Sequence, residues 1–163
     1  MIFEHIVYAT GSFIVALLAI IIGVYVASKA VDRLTVELNE WDEVRKGNIA
    51  VAVYFVGVLL SVGVIITPSI AGLYNMLPKI ASGALPYQAI IPPVNSVILS
   101  IIIAVIVQYI GIRTFTRITR GINEWGELKR GNVAVGLMMA GTLVVVGLIV
   151  AQIVEGFIRV LIL

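Results

Sequence analysis

The chain has 163 residues, of which 61% are hydrophobic and 12% charged, with a formal charge of +2 and no cysteine. Soluble domains hold about 45–50% apolar and about 25% charged residues, so this chain cannot cover a folded surface with polar groups and reads as a membrane protein. Disulfide frameworks, thiolate nucleophiles and cysteine-based metal sites are excluded. The small, clustered positive charge does not make a nucleic-acid-binding patch.

A spanning helix needs about 20 mostly apolar residues. Four stretches meet that length, at about 6–30, 48–66, 94–112 and 132–154. The first lacks the basic leading segment of a secretory signal peptide and is expected to stay as a span. Between spans two and three lies a stretch holding all five prolines (Pro68, Pro78, Pro86, Pro92 and Pro93), which stays apolar throughout. Proline removes a backbone donor and clashes with the preceding helical turn, so an irregular outer loop over 73–93 is predicted. A surface cap, an interfacial helix and a re-entrant segment are the readings open for it. The expected units are therefore 1–72, the loop 73–93, and 94–163.

Nine of the eleven basic residues lie in two clusters, 29–46 and 113–130. Short basic loops stay in the cytoplasm, so both clusters should face inward and both termini outward. The two clusters also share a phrase. "NEWDEVRKGNIAV" begins at Asn39 and "NEWGELKRGNVAV" at Asn123, 84 positions later. Tyr25 and Tyr109, Arg33 and Arg117, Thr35 and Thr119, Gly57 and Gly141, and Gly63 and Gly147 keep that offset. Each unit holds two spans, so both enter the membrane from the same side, as parallel repeats. The predicted fold is all-α: an integral membrane four-helix protein, two parallel tandem repeats of span–amphipathic surface helix–span.

Within the phrase, Leu34, Leu38, Trp41 and Val44 fall on one helical stripe, as do Ile118, Ile122, Trp125 and Leu128. That pattern predicts an amphipathic helix of about three turns on the inner membrane surface, with its Trp at headgroup level. Gly47 and Gly131 suit the left-handed residue that ends a helix, and Asn48 and Asn132 suit the N-cap of the following span. The helix-turn motif thus comprises Asn39, Glu40, Trp41, Glu43, Gly47 and Asn48, with Asn123, Glu124, Trp125, Glu127, Gly131 and Asn132. The four glutamates are the candidates for chemistry, as a cation or polyamine site, against a solvated face with intrahelical pairing.

Small residues recur in spans two and four at Ala50 and Gly57, Ala52 and Gly63, Ala134 and Gly141, and Gly136 and Gly147. In lipid such residues allow close helix approach, so Gly57, Gly63, Gly141 and Gly147 are expected packing positions and these two spans the centre of the structure. Gln108 is the best buried polar candidate, near the inner end of span three, as a bridge between helices or as part of a path. The hydroxyls of Ser61, Thr67 and Thr142 can bond their own helix carbonyls. No charge falls at a predicted midplane, which argues against a proton relay. No nucleotide-binding, esterase or metalloprotease motif occurs, and no cofactor or metal is implied.

The doubled Asn-Glu-Trp, Gly-Asn and Ala followed by a glycine-bearing span resembles the prokaryotic inner-membrane proteins called domain of unknown function 350. The resemblance covers both units and most of the chain outside the central loop. Ile49 and Val133 stand where that family often has Thr, and the proline-rich loop is longer than in the family. The resemblance implies a prokaryotic inner-membrane location and this fold, with no established biochemical activity. The reading that follows is a non-enzymatic multi-pass protein working by helix packing and homo-oligomerisation. Its partners are the lipid bilayer, further copies of itself and a cytoplasmic protein. The alternative is a small oligomeric channel or transporter.

Overall fold

The computed structural model describes residues 2–34, 38–119 and 121–162; Thr35, of the repeat register, and Arg120, of the second basic cluster, lie outside them. Helix α1 runs over Ile2–Leu34, α2 over Glu40–Arg45, α3 over Ile49–Ala81, α4 over Ile91–Ile118, α5 over Glu124–Lys129 and α6 over Val133–Ile162. No strand occurs among the described residues. The four long helices are each long and apolar enough to cross a membrane. At 1.5 Å per residue the 33-residue α3 is about 50 Å long. That exceeds a hydrocarbon core of about 30 Å, so it tilts or projects.

The short helices α2 and α5 sit at one end of the bundle, the elbow end, and the α3–α4 connection marks the other, the turn end. Helix α3 packs against α1, α4 and, over the longest interface, α6. Its centre is apolar, with Val62, Ile65 and Ile66 fully covered. Close α3–α6 approaches match Ala50 with Gly136, Gly57 with Ala140 and Ser61 with Gly147. Each pair joins residues at similar distances from their helix starts, so α3 and α6 run parallel.

Three expectations are corrected. First, the loop predicted over 73–93 is mostly helix. Helix α3 continues through Pro68 and Pro78 to Ala81, and a membrane helix tolerates such breaks because neighbouring groups re-satisfy the freed carbonyls. At Gly83 φ is +76°, a left-handed conformation suited to glycine, and the Leu85 amide returns to the Lys79 carbonyl at 3.0 Å. A 3-10 turn at Tyr87–Ile90 leads into α4, whose first turn holds Pro92 and Pro93, where no helical donor is lost.

Second, the surface helix is six residues in each unit, not three turns. Asn39 and Asn123 stop it from extending backwards. Their side-chain Oδ1 atoms accept from the amides of Asp42 (3.2 Å) and Gly126 (3.0 Å). Asn side chains compete with the helix for backbone donors in this way and so favour caps. Leu34 and Ile118 belong to α1 and α4, and the stripe is split.

Third, the two glycine-bearing spans are not equally central. In its most apolar window α3 is 56% buried but α6 only 28%, the same as α4. A helix ringed by three neighbours leaves α6 with one face uncovered, from Met138 through Val145 to Ile149.

Candidate functional site

The repeated phrase folds into the same backbone device twice. The Gly47 amide donates to the Val44 carbonyl (2.9 Å) and the Asn48 amide to the Glu43 carbonyl (3.0 Å). In the second elbow Gly131 reaches Leu128 and Asn132 reaches Glu127, both at 3.0 Å. These are the paired bonds of a helix stop whose left-handed residue is glycine, at φ +81° and +83°. Asn48 and Asn132 then start the next helix, each accepting from the amide three residues on, at 3.2 Å from Val51 and 3.5 Å from Val135.

The glutamates singled out for chemistry are engaged in this device. Glu43 Oε1 accepts from Lys46 Nζ at 2.7 Å and its Oε2 from Asn48 Nδ2 at 3.1 Å. Glu127 Oε1 accepts from Arg130 at 2.9 Å and its Oε2 from Asn132 Nδ2 at 2.8 Å. Each carboxylate therefore orients the capping amide beside it. Glu124 is buried and its Oε1 accepts from the Thr119 hydroxyl, which ties α5 to the end of α4. Glu40 is buried as well.

These bonds set the charge states. The Lys46 hydrogen bond first, then that of Asn48, hold the Glu43 carboxyl below the usual range; Asn132, ahead of Arg130, does the same for Glu127. Groups with a lowered folded pKa give stability that is present above the unfolded value, about 4.3 for Glu, and lost as pH falls through the folded one. Thermal stability in mild detergent should be level between neutrality and about pH 5 and decline below about pH 4. Glu43→Gln with Glu127→Gln should flatten that decline. A decline of unchanged steepness in the double variant would assign it to other groups.

The two elbows differ in what they touch. Asn48 Nδ2 also donates to the Leu128 carbonyl at 2.8 Å and, more weakly, to that of Lys129 at 3.4 Å. It caps the last turn of α5 and so joins the two elbows. Asn132 makes no such cross-link among the described residues; its bonds there stay inside its own elbow. The Trp residues divide likewise. Trp41 is 55% exposed and meets Phe55 edge-on at 5.1 Å. Trp125 is partly covered and stands edge-on to Tyr54 at 5.8 Å, so it belongs to the bundle. At the elbow ends of α1 and α4, Lys29 lies over the Tyr25 ring and Arg113 over that of Tyr109, both cations four residues past the aromatic. The repeat register held Tyr25 and Tyr109, but the cation pairing was missed; an aromatic followed by a cation at i+4 is the signal.

Gln108 lies deeper than expected because α4 extends to Ile118. It is ten residues, about 15 Å, from that end. Its Nε2 donates to the Ser61 hydroxyl at 2.5 Å, and that hydroxyl donates to the Leu143 carbonyl of α6 at 2.7 Å. One buried relay thus joins α4, α3 and α6. Ser61 bonds another helix, whereas Thr67 and Thr142 bond their own, to Gly63 and Met138. Gln108 Oε1 is buried without a partner among the described residues.

The four expected packing glycines separate into two pairs. A methyl group at Gly57 would overlap Ala140, and one at Gly147 would overlap Ser61. Gly63 and Gly141 meet nothing within 4 Å. The site is thus a structural one: a bundle of four potential spans, closed at one end by two glycine–asparagine elbows and crossed near mid-depth by an amide–hydroxyl relay. That defines a multi-pass helical membrane protein. The family model described as Domain of Unknown Function (DUF350) matches residues 1–154. The chain belongs to that family. No curated protein and no solved structure matches it.

Proposed function

We propose that this chain is a non-enzymatic protein of the prokaryotic plasma (inner) membrane that works by assembling with further copies of itself and by presenting α2 and α5 to the cytoplasm, where lipid and a protein partner meet them. The observation that carries this reading is the use of the repeated polar residues: Glu43, Glu127, Asn48 and Asn132 hold the elbows together rather than lining a reaction site. The uncovered Gly141 on α6 supports assembly, because small residues mark close helix contacts in lipid. Eight basic residues among the described ones lie near the elbow end, which supports a cytoplasmic elbow end and outer termini. Cysteines introduced as Arg45→Cys and Ser82→Cys should label from opposite sides of the membrane; labelling from one side removes the orientation.

The unpartnered Gln108 Oε1 favours a second reading, an oligomeric channel or transporter with a polar point at mid-depth. Reconstituted liposomes separate the two. The assembly reading expects flux equal to that of empty liposomes under several ion and solute gradients. Flux that disappears in Gln108→Leu would replace it with the channel.

A further inference from the structure

At the turn end, a cleft of about 520 Å³ lies between α3 and α6. Its floor is apolar and small, with Pro68, Ala71, Gly72 and Ile158, while its rim carries Asn75, Lys79, Glu155 and Arg159. Arg159 donates to Glu155 at 2.6 Å, which holds the guanidinium at the rim. Lys79 makes no ion pair among the described residues and is exposed. The rim is therefore net positive, two cations against one carboxylate. On the other side of α3 a second groove of about 340 Å³ runs between α1 and α3, past Phe13, Leu17, Ile70 and Tyr74. The two grooves share Thr67 and Ala71.

We infer that these joined grooves seat one anionic phospholipid of the turn-end leaflet, its phosphate against Lys79 and Arg159 and one acyl chain in each groove. Three features fit this occupant. The rim charge complements a phosphate, and the Asn75 amide adds a donor. Thr67 and Lys79 are separated by about 18 Å of helix, close to the depth of one leaflet, about half of a 30 Å core. Two apolar grooves meeting along one ridge match a ligand with two chains and one head. A zwitterionic lipid fills the same grooves without the net charge match.

Native mass spectrometry in an uncharged detergent, with phosphatidylglycerol or phosphatidylcholine added, tests the site. The wild type should retain one phosphatidylglycerol more tightly than phosphatidylcholine. Near a membrane surface each cation adds about 1 kcal/mol toward anionic lipid, so Lys79→Gln should weaken retention roughly five-fold and Lys79→Gln with Arg159→Gln roughly thirty-fold. Lys79→Arg should restore it. Lys129→Gln, at the elbow end, should leave this tightest molecule in place. Melting temperatures in the same detergent keep misfolding apart, and the exposed Lys79 permits a folded single variant. Equal retention of both lipids, unchanged retention in the double variant, or displacement by millimolar inorganic phosphate would each overturn the assignment.

Discussion

Gly57→Ala and Gly147→Ala should each destabilise the bundle by about 2 kcal/mol, the usual cost of forcing a methyl group into a packed contact. Gly63→Ala and Gly141→Ala should leave the single-chain bundle unchanged or stabilise it by up to about 1 kcal/mol, because alanine is the better helix former and neither site meets a neighbour within the chain. The four residues are related in pairs by the repeat, Gly57 with Gly141 and Gly63 with Gly147. A packing role set by the repeat alone would make each pair respond alike. The structure instead crosses the pairs, one member tight and one open. Denaturant titration in detergent, followed by far-ultraviolet circular dichroism, measures the four differences. Equal responses within either pair would contradict the α3–α6 interface described above. Gly147 carries a second consequence, since its neighbour Ser61 is the centre of the Gln108 relay. Displacing that hydroxyl leaves a buried amide and a buried carbonyl short of partners, so the cost at Gly147 is largely polar, whereas at Gly57 the methyl group meets the Ala140 backbone and the cost is steric.

Asn48→Ala should cost about 3 kcal/mol and Asn132→Ala about 2 kcal/mol, from a lost cap and a lost bond to the neighbouring glutamate of about 1 kcal/mol each in both, and from the lost cross-link in the first. The difference rests on the bond from Asn48 Nδ2 to the Leu128 carbonyl. Its loss leaves the last turn of α5 uncapped, whereas the lost glutamate bond is common to both positions. Asn48→Asp separates the two roles. It keeps the acceptor for the Val51 amide but replaces the donor with an oxygen facing Glu43 and Leu128, so it should be no better than alanine. At position 132 aspartate should still be worse than asparagine, through Glu127, yet by less. The same denaturant titration reads both series. Equal costs at 48 and 132 would remove the cross-link between elbows.

Much of this was legible in the residues. The four apolar runs are long enough that no other secondary structure satisfies their backbone in lipid, and all four are long helices. Gly47 and Gly131 followed by asparagine marked a stop and a start, and both occur, because left-handed backbone and N-capping are decided within a few residues. The prolines misled for an equally local reason. Pro68 and Pro78 break a helix in water, but a helix flanked by others can continue through them. Asn39 and Asn123 carried a legible signal, an N-cap residue before an acidic first turn, that the apolar stripe across them obscured.

The membrane class, the four long apolar helices and the helix stops follow from local chemistry: apolar length, glycine's left-handed freedom and asparagine's short side chain. Which of two repeated residues is buried does not. Helices apolar all round carry no polar face to say where their neighbours lie. The tertiary structure alone places α3 at the centre with three neighbours. That choice crowds Gly57 and frees Gly141, and it buries Gln108 against Ser61. It also gives Asn48 the carbonyl that Asn132 lacks. Two copies of one phrase cannot both take the middle position in one bundle, and packing decides between them.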